Sequence, residues 1–208
     1  MLQSFERFRT VRANTLHLVQ GLSQNQMDFA PPSGEWSIGE ILDHLRLDER
    51  VFRKDLADLI DLAKAGKPPS IYRSFAEINA APAFIPQCAL PLLELPLYVI
   101  NRFIPNRIRA SLAQSNLVAI RHPDVTTPSK GRPADTLRAE LCASLQETAG
   151  LLAAHPTLDY SAMTREFPML GIQTIPQMLD FLGIEESLHQ GQIARVKAEP
   201  LFPKTLLP

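Results

Sequence analysis

The chain has 208 residues, of which 45% are hydrophobic and 21% charged, and it carries a formal net charge of -1. This length supports one domain with a sizeable core. The near-neutral balance excludes nucleic acid as a default partner, because a phosphate-binding face needs a clear basic excess.

The first helix is expected over 4–22, with Phe8, Val11, Thr15, Leu18 and Leu22 inward and His17 on its outer face. Gly21 and the polar run Ser23-Gln24-Asn25-Gln26 end it, and Pro31-Pro32-Ser33-Gly34 is a turn-rich connector. Trp36 reads as a large hydrophobe closing one end of a helical core. The second helix opens with a capping box, Ser37 to Glu40, and runs amphipathically over 38–65. Its apolar arc is Ile38, Ile41, Leu45, Phe52, Leu56 and Leu59. Asp48 falls inside that arc and His44 at its edge.

The character changes over 66–133, which holds ten of the 18 prolines and so no long uninterrupted helix. Its run 88–104 is the most apolar in the chain, but Pro91, Glu94 and Pro96 interrupt it. It is too short to span a bilayer comfortably, so no stable membrane insertion is expected. A short bent helical segment lying over the core is the first reading, with a lid or a homodimer contact as alternatives. His122, in the run Arg121-His122-Pro-Asp124, reads as a solvated loop residue.

A third helix over 134–154 places Leu137, Leu141, Leu145, Leu151 and Leu152 inward and leaves Cys142 off that arc. His155 follows, where an imidazole can cap carbonyls and complement the helix dipole. Thr174 reads as the N-cap of a fourth helix over 175–197, with Pro176 in its first turn. Met178, Phe181, Leu182, Leu188, Ile193 and Val196 form its apolar arc. The tail beyond Lys197 reads as an irregular strap. The fold class is therefore all-α, an antiparallel four-helix bundle occupying 1–208 as one domain. A long Pro-rich, partly helical insertion separates its second and third core helices.

Glu185, His189 and Gln192 lie in the middle of the fourth helix's apolar arc. A buried polar group is costly unless satisfied, and a buried charge far more so unless paired or coordinated. The Glu185/His189 spacing also suits an ordinary surface pair, and only its inward phase argues otherwise. The second helix presents His44 and Asp48 in the same manner. Two helices that each turn an imidazole and a carboxylate inward can build a metal site in a bundle core.

The two segments Trp36-Ser37-Ile38-Gly39-Glu40-Ile41-Leu42-Asp43-His44-Leu45 and His189-Gln-Gly-Gln192-Ile193 resemble the DinB-like superfamily. By pattern the resemblance covers 1–65 and 134–197. It implies a four-helix bundle with three histidines around a divalent metal at one end of the core. His44 matches the first family histidine and His189 the last, while Glu185 stands where the family's middle histidine is expected. Two histidines and a carboxylate remain an open-site ligand set, for zinc first and for iron, nickel or manganese as alternatives. Asp48 is then expected as a hydrogen-bond acceptor for His44 or a fourth ligand, and Gln192 as a partner of bound water or substrate.

Three protein ligands leave an open position, which suits catalysis. The implied function is a metal-dependent enzyme on a small-molecule substrate, a low-molecular-weight thiol among the candidates, by thiol transfer or hydrolysis. The alternative is a non-catalytic binding bundle whose metal site is modified or lost. No phosphate-binding loop, dinucleotide glycine pattern or nucleophile elbow points to another enzyme class. Cys88 and Cys142 give no disulfide framework. The charged N-terminus, Met1-Leu-Gln-Ser-Phe-Glu-Arg, does not read as a signal peptide, so the expected location is cytoplasmic.

Overall fold

The structure, a computed structural model, describes residues 2–74, 77, 99, 124–167 and 171–204. In chain order these form α1 (Gln3–Leu18), α2 (Gln24–Met27), α3 (Ile38–Lys64), β1 (Ser70–Tyr72), a 3-10 turn (Asp124–Thr126), α4 (Ala134–Ala153), β2 (Thr164–Phe167), β3 (Gly171–Thr174) and α5 (Ile175–Ala198). The described chain is mostly helical, as expected. The apolar run 88–104 lies outside the described residues except for Val99, as do His122 and most of the expected insertion.

Local chemistry sets the helix ends. Ser37 N–H donates to Glu40 Oε2 at 3.0 Å and Glu40 N–H donates to Ser37 Oγ at 3.2 Å, the reciprocal bonds of a capping box. At the far end of α3, Lys67 N–H reaches Leu62 O at 2.9 Å while Gly66 takes a φ of 68°, a left-handed stop that favours glycine. The first helix ends at Leu18 rather than at the expected Leu22. Gly21 turns the chain at a φ of 74°, and Ser23 and Gln26 form a second capping box that opens the short helix α2. The polar run read as a simple breaker is thus also a start signal.

Two compact units divide the chain, one from Met1–Arg53, Pro128–Pro156 and Pro176–Pro208, the other from Lys54–Thr127 and Thr157–Ile175. In the first, Ile38, Ile41 and Leu45 of α3 join Leu137 and Leu141 of α4 and Ile193 and Val196 of α5 in one buried apolar cluster. Gly39 lies where a Cβ would stand 3.2 Å from the Met27 carbonyl oxygen, so its lack of a side chain lets the end of α2 pack closely on α3. Leu188 corrects the expected arc of α5. It is 51% exposed, while Leu179, not assigned to that arc, is fully buried.

The second unit holds a three-stranded sheet of order β1-β2-β3 that the sequence reading did not anticipate. β1 runs parallel to β2 with Ile71 opposite Arg165, and β2 runs antiparallel to β3 with Arg165 opposite Gln173. Strands of three and four residues carry almost no periodicity. In β2 the two buried positions are Arg165 and Phe167, so the inward face does not read as apolar. Asp55, buried in α3, accepts from Arg73 Nε at 2.8 Å and from Arg165 Nη1 at 3.1 Å, tying the segment after β1 and strand β2 to the helix.

Candidate functional site

The site lies in the first unit, where α3 and α5 face each other. The capping box fixes the start of α3, and His44 follows on its buried side, 2% exposed. On α5, His189 is buried between Glu186 and Ile193 on the inward face. The two imidazole rings meet edge to face with centroids 4.9 Å apart. Trp36 covers both of them, its ring 4.9 Å from that of His44 and stacked at 6.1 Å on that of His189. Trp36 therefore does more than close a core, since its indole forms a wall of the histidine pair.

Each imidazole is oriented by a neighbour on its own helix. His44 Nε2 pairs with Asp48 Oδ2 at 3.2 Å. His189 Nδ1 lies 2.7 Å from Gln192 Oε1, and with the amide in that orientation the carbonyl oxygen accepts and Nδ1 carries the proton. In the neutral ring this puts the lone pair on Nε2, the state a metal ligand needs. His44 can offer Nε2 to a cation only if Asp48 releases it or itself joins as a ligand.

Glu185 is partly buried on the same helix as His189, four residues earlier. Desolvation, reinforced by repulsion from Asp48, pushes its carboxyl up to about 7. The expected set of His44, Glu185 and His189, with Asp48 and Gln192 beside it, thus has two imidazoles in ring contact, each paired with one of the outer members, and two carboxylates coupled through their charges. Among the described residues no group of three or more His, Cys, Asp or Glu side chains is already gathered to hold a metal ion. The donor chemistry nevertheless suits a borderline divalent cation: two neutral nitrogens and two repelling carboxylates compensate such a charge.

Behind the site lies a polar network that the sequence reading missed. Arg12, Glu49 and Glu186 are each 1% exposed or less. Arg12 Nε donates to Glu186 Oε1 at 2.8 Å and to Oε2 at 3.0 Å, and Arg12 Nη1 donates to Glu49 Oε2 at 2.8 Å and to the Leu141 carbonyl at 2.9 Å. Thr148 Oγ1 closes the network on Glu49 Oε1 at 2.6 Å, so α1, α3, α4 and α5 all contribute. The signal was present: Arg12 sits between Phe8 and Thr15 on the inward face of α1, where a cation demands buried anions.

Asp43, beside His44, is also buried and accepts from Ser129 N–H at 2.9 Å and from Arg46 Nη2 at 2.8 Å, with Arg132 as a further donor. Burial opposes its ionisation, but these donors together hold the carboxyl below the usual range. Asp43 thereby anchors the 128–132 loop to the first turns of the helix that carries His44. Cys142 is exposed, as its position off the α4 arc implied. No helix among the described residues is long and apolar enough to cross a membrane.

The sequence profile of the DinB superfamily matches residues 7–193. The Bacillus subtilis (strain 168) protein named "Uncharacterized protein YuaE" is 24% identical over 190 residues, an alignment covering 91% of this chain and 94% of that one. No solved structure matches the chain. The profile match takes in Trp36, Ser37, Glu40 and His44 on one side and Glu185, His189 and Gln192 on the other, so the chain belongs to the DinB superfamily.

Proposed function

We propose that the protein is a four-helix-bundle metalloprotein of its superfamily, with His44, Glu185 and His189 as ligands of one divalent cation and a small-molecule substrate at the open position. The observation that carries this reading is the ring contact of His44 with His189 at 4.9 Å, made from two different helices beside two carboxylates. Two imidazoles and a carboxylate suit zinc, and membership in a superfamily whose members generally bind metal supports the assignment.

When bound, the metal would supply Lewis acidity, activating a water or a substrate thiol near neutral pH. The chain's own residues would do the rest. Gln192 holds His189 by its Nδ1 and so presents the other ring nitrogen. Asp48 orients His44 and can take up a proton when that ring changes partner. The Glu185 carboxyl, with its affinity for protons raised to about 7, is suited to exchange one at neutral pH when it is not holding the ion. Trp36 shields one side of the pair from water. Thiol transfer and hydrolysis are the two reactions this equipment fits.

A second reading rests on the absence, among the described residues, of three gathered donors. On that reading the bundle binds a small molecule without catalysis, and the polar cluster is a metal-free network. Equilibrium dialysis of tag-free protein against zinc separates the two. The metalloprotein reading expects one zinc per chain, sharply reduced in His44→Ala and His189→Ala. Equal zinc in all three proteins would remove these residues as ligands.

A further inference from the structure

Both helices of the candidate site carry adjacent acidic residues, Asp48-Glu49 on α3 and Glu185-Glu186 on α5. Neighbours in a helix point about 100° apart, so a rotation of either helix by only part of that angle already draws one carboxylate away from the site and brings its neighbour nearer. Apolar packing discriminates poorly between such rotations, because Leu, Ile and Met accept many neighbours of similar volume. The Arg12 network does discriminate. Its guanidinium takes Glu186 by both carboxylate oxygens and Glu49 by one, from a fully buried position on a third helix.

We propose that Arg12 is a positioning residue, which by gripping Glu49 and Glu186 fixes the rotation of α3 and α5 and so holds His44 and His189 in register beneath Trp36. Planar, forked donors suit this task, since they demand a direction as well as a distance. The network costs desolvation and is not the cheapest way to fill a core, which fits a role in specifying geometry. The functional consequence rests on the metal-site reading above, but the placement of the two rings does not.

The test replaces the network by apolar groups of similar volume, Arg12→Met/Glu49→Leu/Glu186→Leu, in the full chain. Few groups are orphaned by this: Thr148 Oγ1 keeps its bond to the Ser144 carbonyl and Arg53 keeps Glu147. The triple variant should unfold at a temperature no lower than the parent. Its His44 and His189 ring protons should nevertheless lose the chemical shifts imposed by the Trp36 ring, and its zinc affinity should fall at least tenfold. A folded triple variant with unchanged histidine shifts and zinc affinity overturns the proposal.

Should the triple variant fail to fold, Arg12→Lys decides. A single ammonium keeps the charge but loses the fork, so the histidine shifts should move partway; parental shifts in a folded Arg12→Lys protein overturn the proposal as well. If the parent protein binds no zinc while the variants still lose the histidine shifts, the metal-site reading fails and the positioning role stands. If all bind zinc equally and the shifts stay put, the reverse holds.

Discussion

His44 and His189 meet edge to face at 4.9 Å, and each is also paired with a polar residue of its own helix, Asp48 for one and Gln192 for the other. Two imidazoles brought together in a helical interior, with carboxylates rather than leucines beside them, are a costly arrangement for packing alone.

Substituting Glu185 by histidine should retain zinc, because imidazole suits that ion; relative affinity for manganese should fall, since carboxylate suits that harder ion better than imidazole does. Competitive metal analysis of the parent and Glu185→His proteins checks this. Lower zinc in the histidine variant, with the fold intact, would mean that Glu185 does not stand at a ligand position.

Trp36 is the single tryptophan of the chain, and it stacks on His189. Its emission should therefore respond when zinc is added, without any label. Trp36→Ala should destabilise the protein by about 2–4 kcal/mol through lost burial and ring contacts. Urea unfolding followed by circular dichroism measures the loss. A variant within about 0.5 kcal/mol of the parent would show that the indole wall is dispensable.

The second unit has its own weak point. Asp55 is the shared acceptor of Arg73 and Arg165 and is 1% exposed. Asp55→Ala removes the buried anion that both guanidinium groups share, while Arg73 keeps Asp58 and Arg165 keeps Gln173, so the cost should stay at or below about 3–5 kcal/mol, the usual penalty for removing one partner of a buried pair. Because the penalty falls on the sheet, amide exchange should rise first in 70–74 and 164–167 and only later in α1. Uniform loss of protection across both regions would contradict this assignment.

Helices are legible in this sequence where capping and periodicity agree. Expected starts at 38, 134 and 175 coincide with those of α3, α4 and α5, because Ser37/Glu40, Pro133 and the Thr174-Ile175-Pro176 run mark them locally. The histidine pair is legible for the same reason: helical phase turns His44 and His189 inward. What escapes are relationships that phase alone cannot carry. The inward phase of Arg12 is legible, but its partners are not, because Glu49 and Glu186 come to it from distant positions. Leu188 looked like core on its hydrophobicity, yet it is half exposed. The sheet escaped because Arg165 occupies an inward strand position and its compensation, Asp55, lies on a helix far away in sequence.

Replacing one carboxyl oxygen of the site should give opposite effects on stability and on metal binding. The Glu185 carboxyl is raised from an ordinary 4.5 to about 7, chiefly by desolvation and then by Asp48. Between those two values the folded metal-free protein holds a proton that the unfolded chain has released, so its stability falls as pH rises through this window. The contribution is fully present below about 4.5 and is lost by the time pH has passed about 7, with an upper limit of about 3 kcal/mol for this group. Glu185→Gln removes the ionisation while keeping the shape. Without metal, the variant should match the parent near pH 5 and exceed it at pH 8 by roughly 1–3 kcal/mol. With zinc at pH 8 the order should reverse, because a neutral amide compensates a cation less than a carboxylate does, and ligand binding stabilises only the protein that binds it. Thermal unfolding at the two pH values, with and without zinc, gives all four comparisons. A glutamine variant no more stable than the parent at pH 8 without metal would mean that Glu185 ionises there without strain, and the electrostatic case for a cation between Asp48 and Glu185 would fall with it.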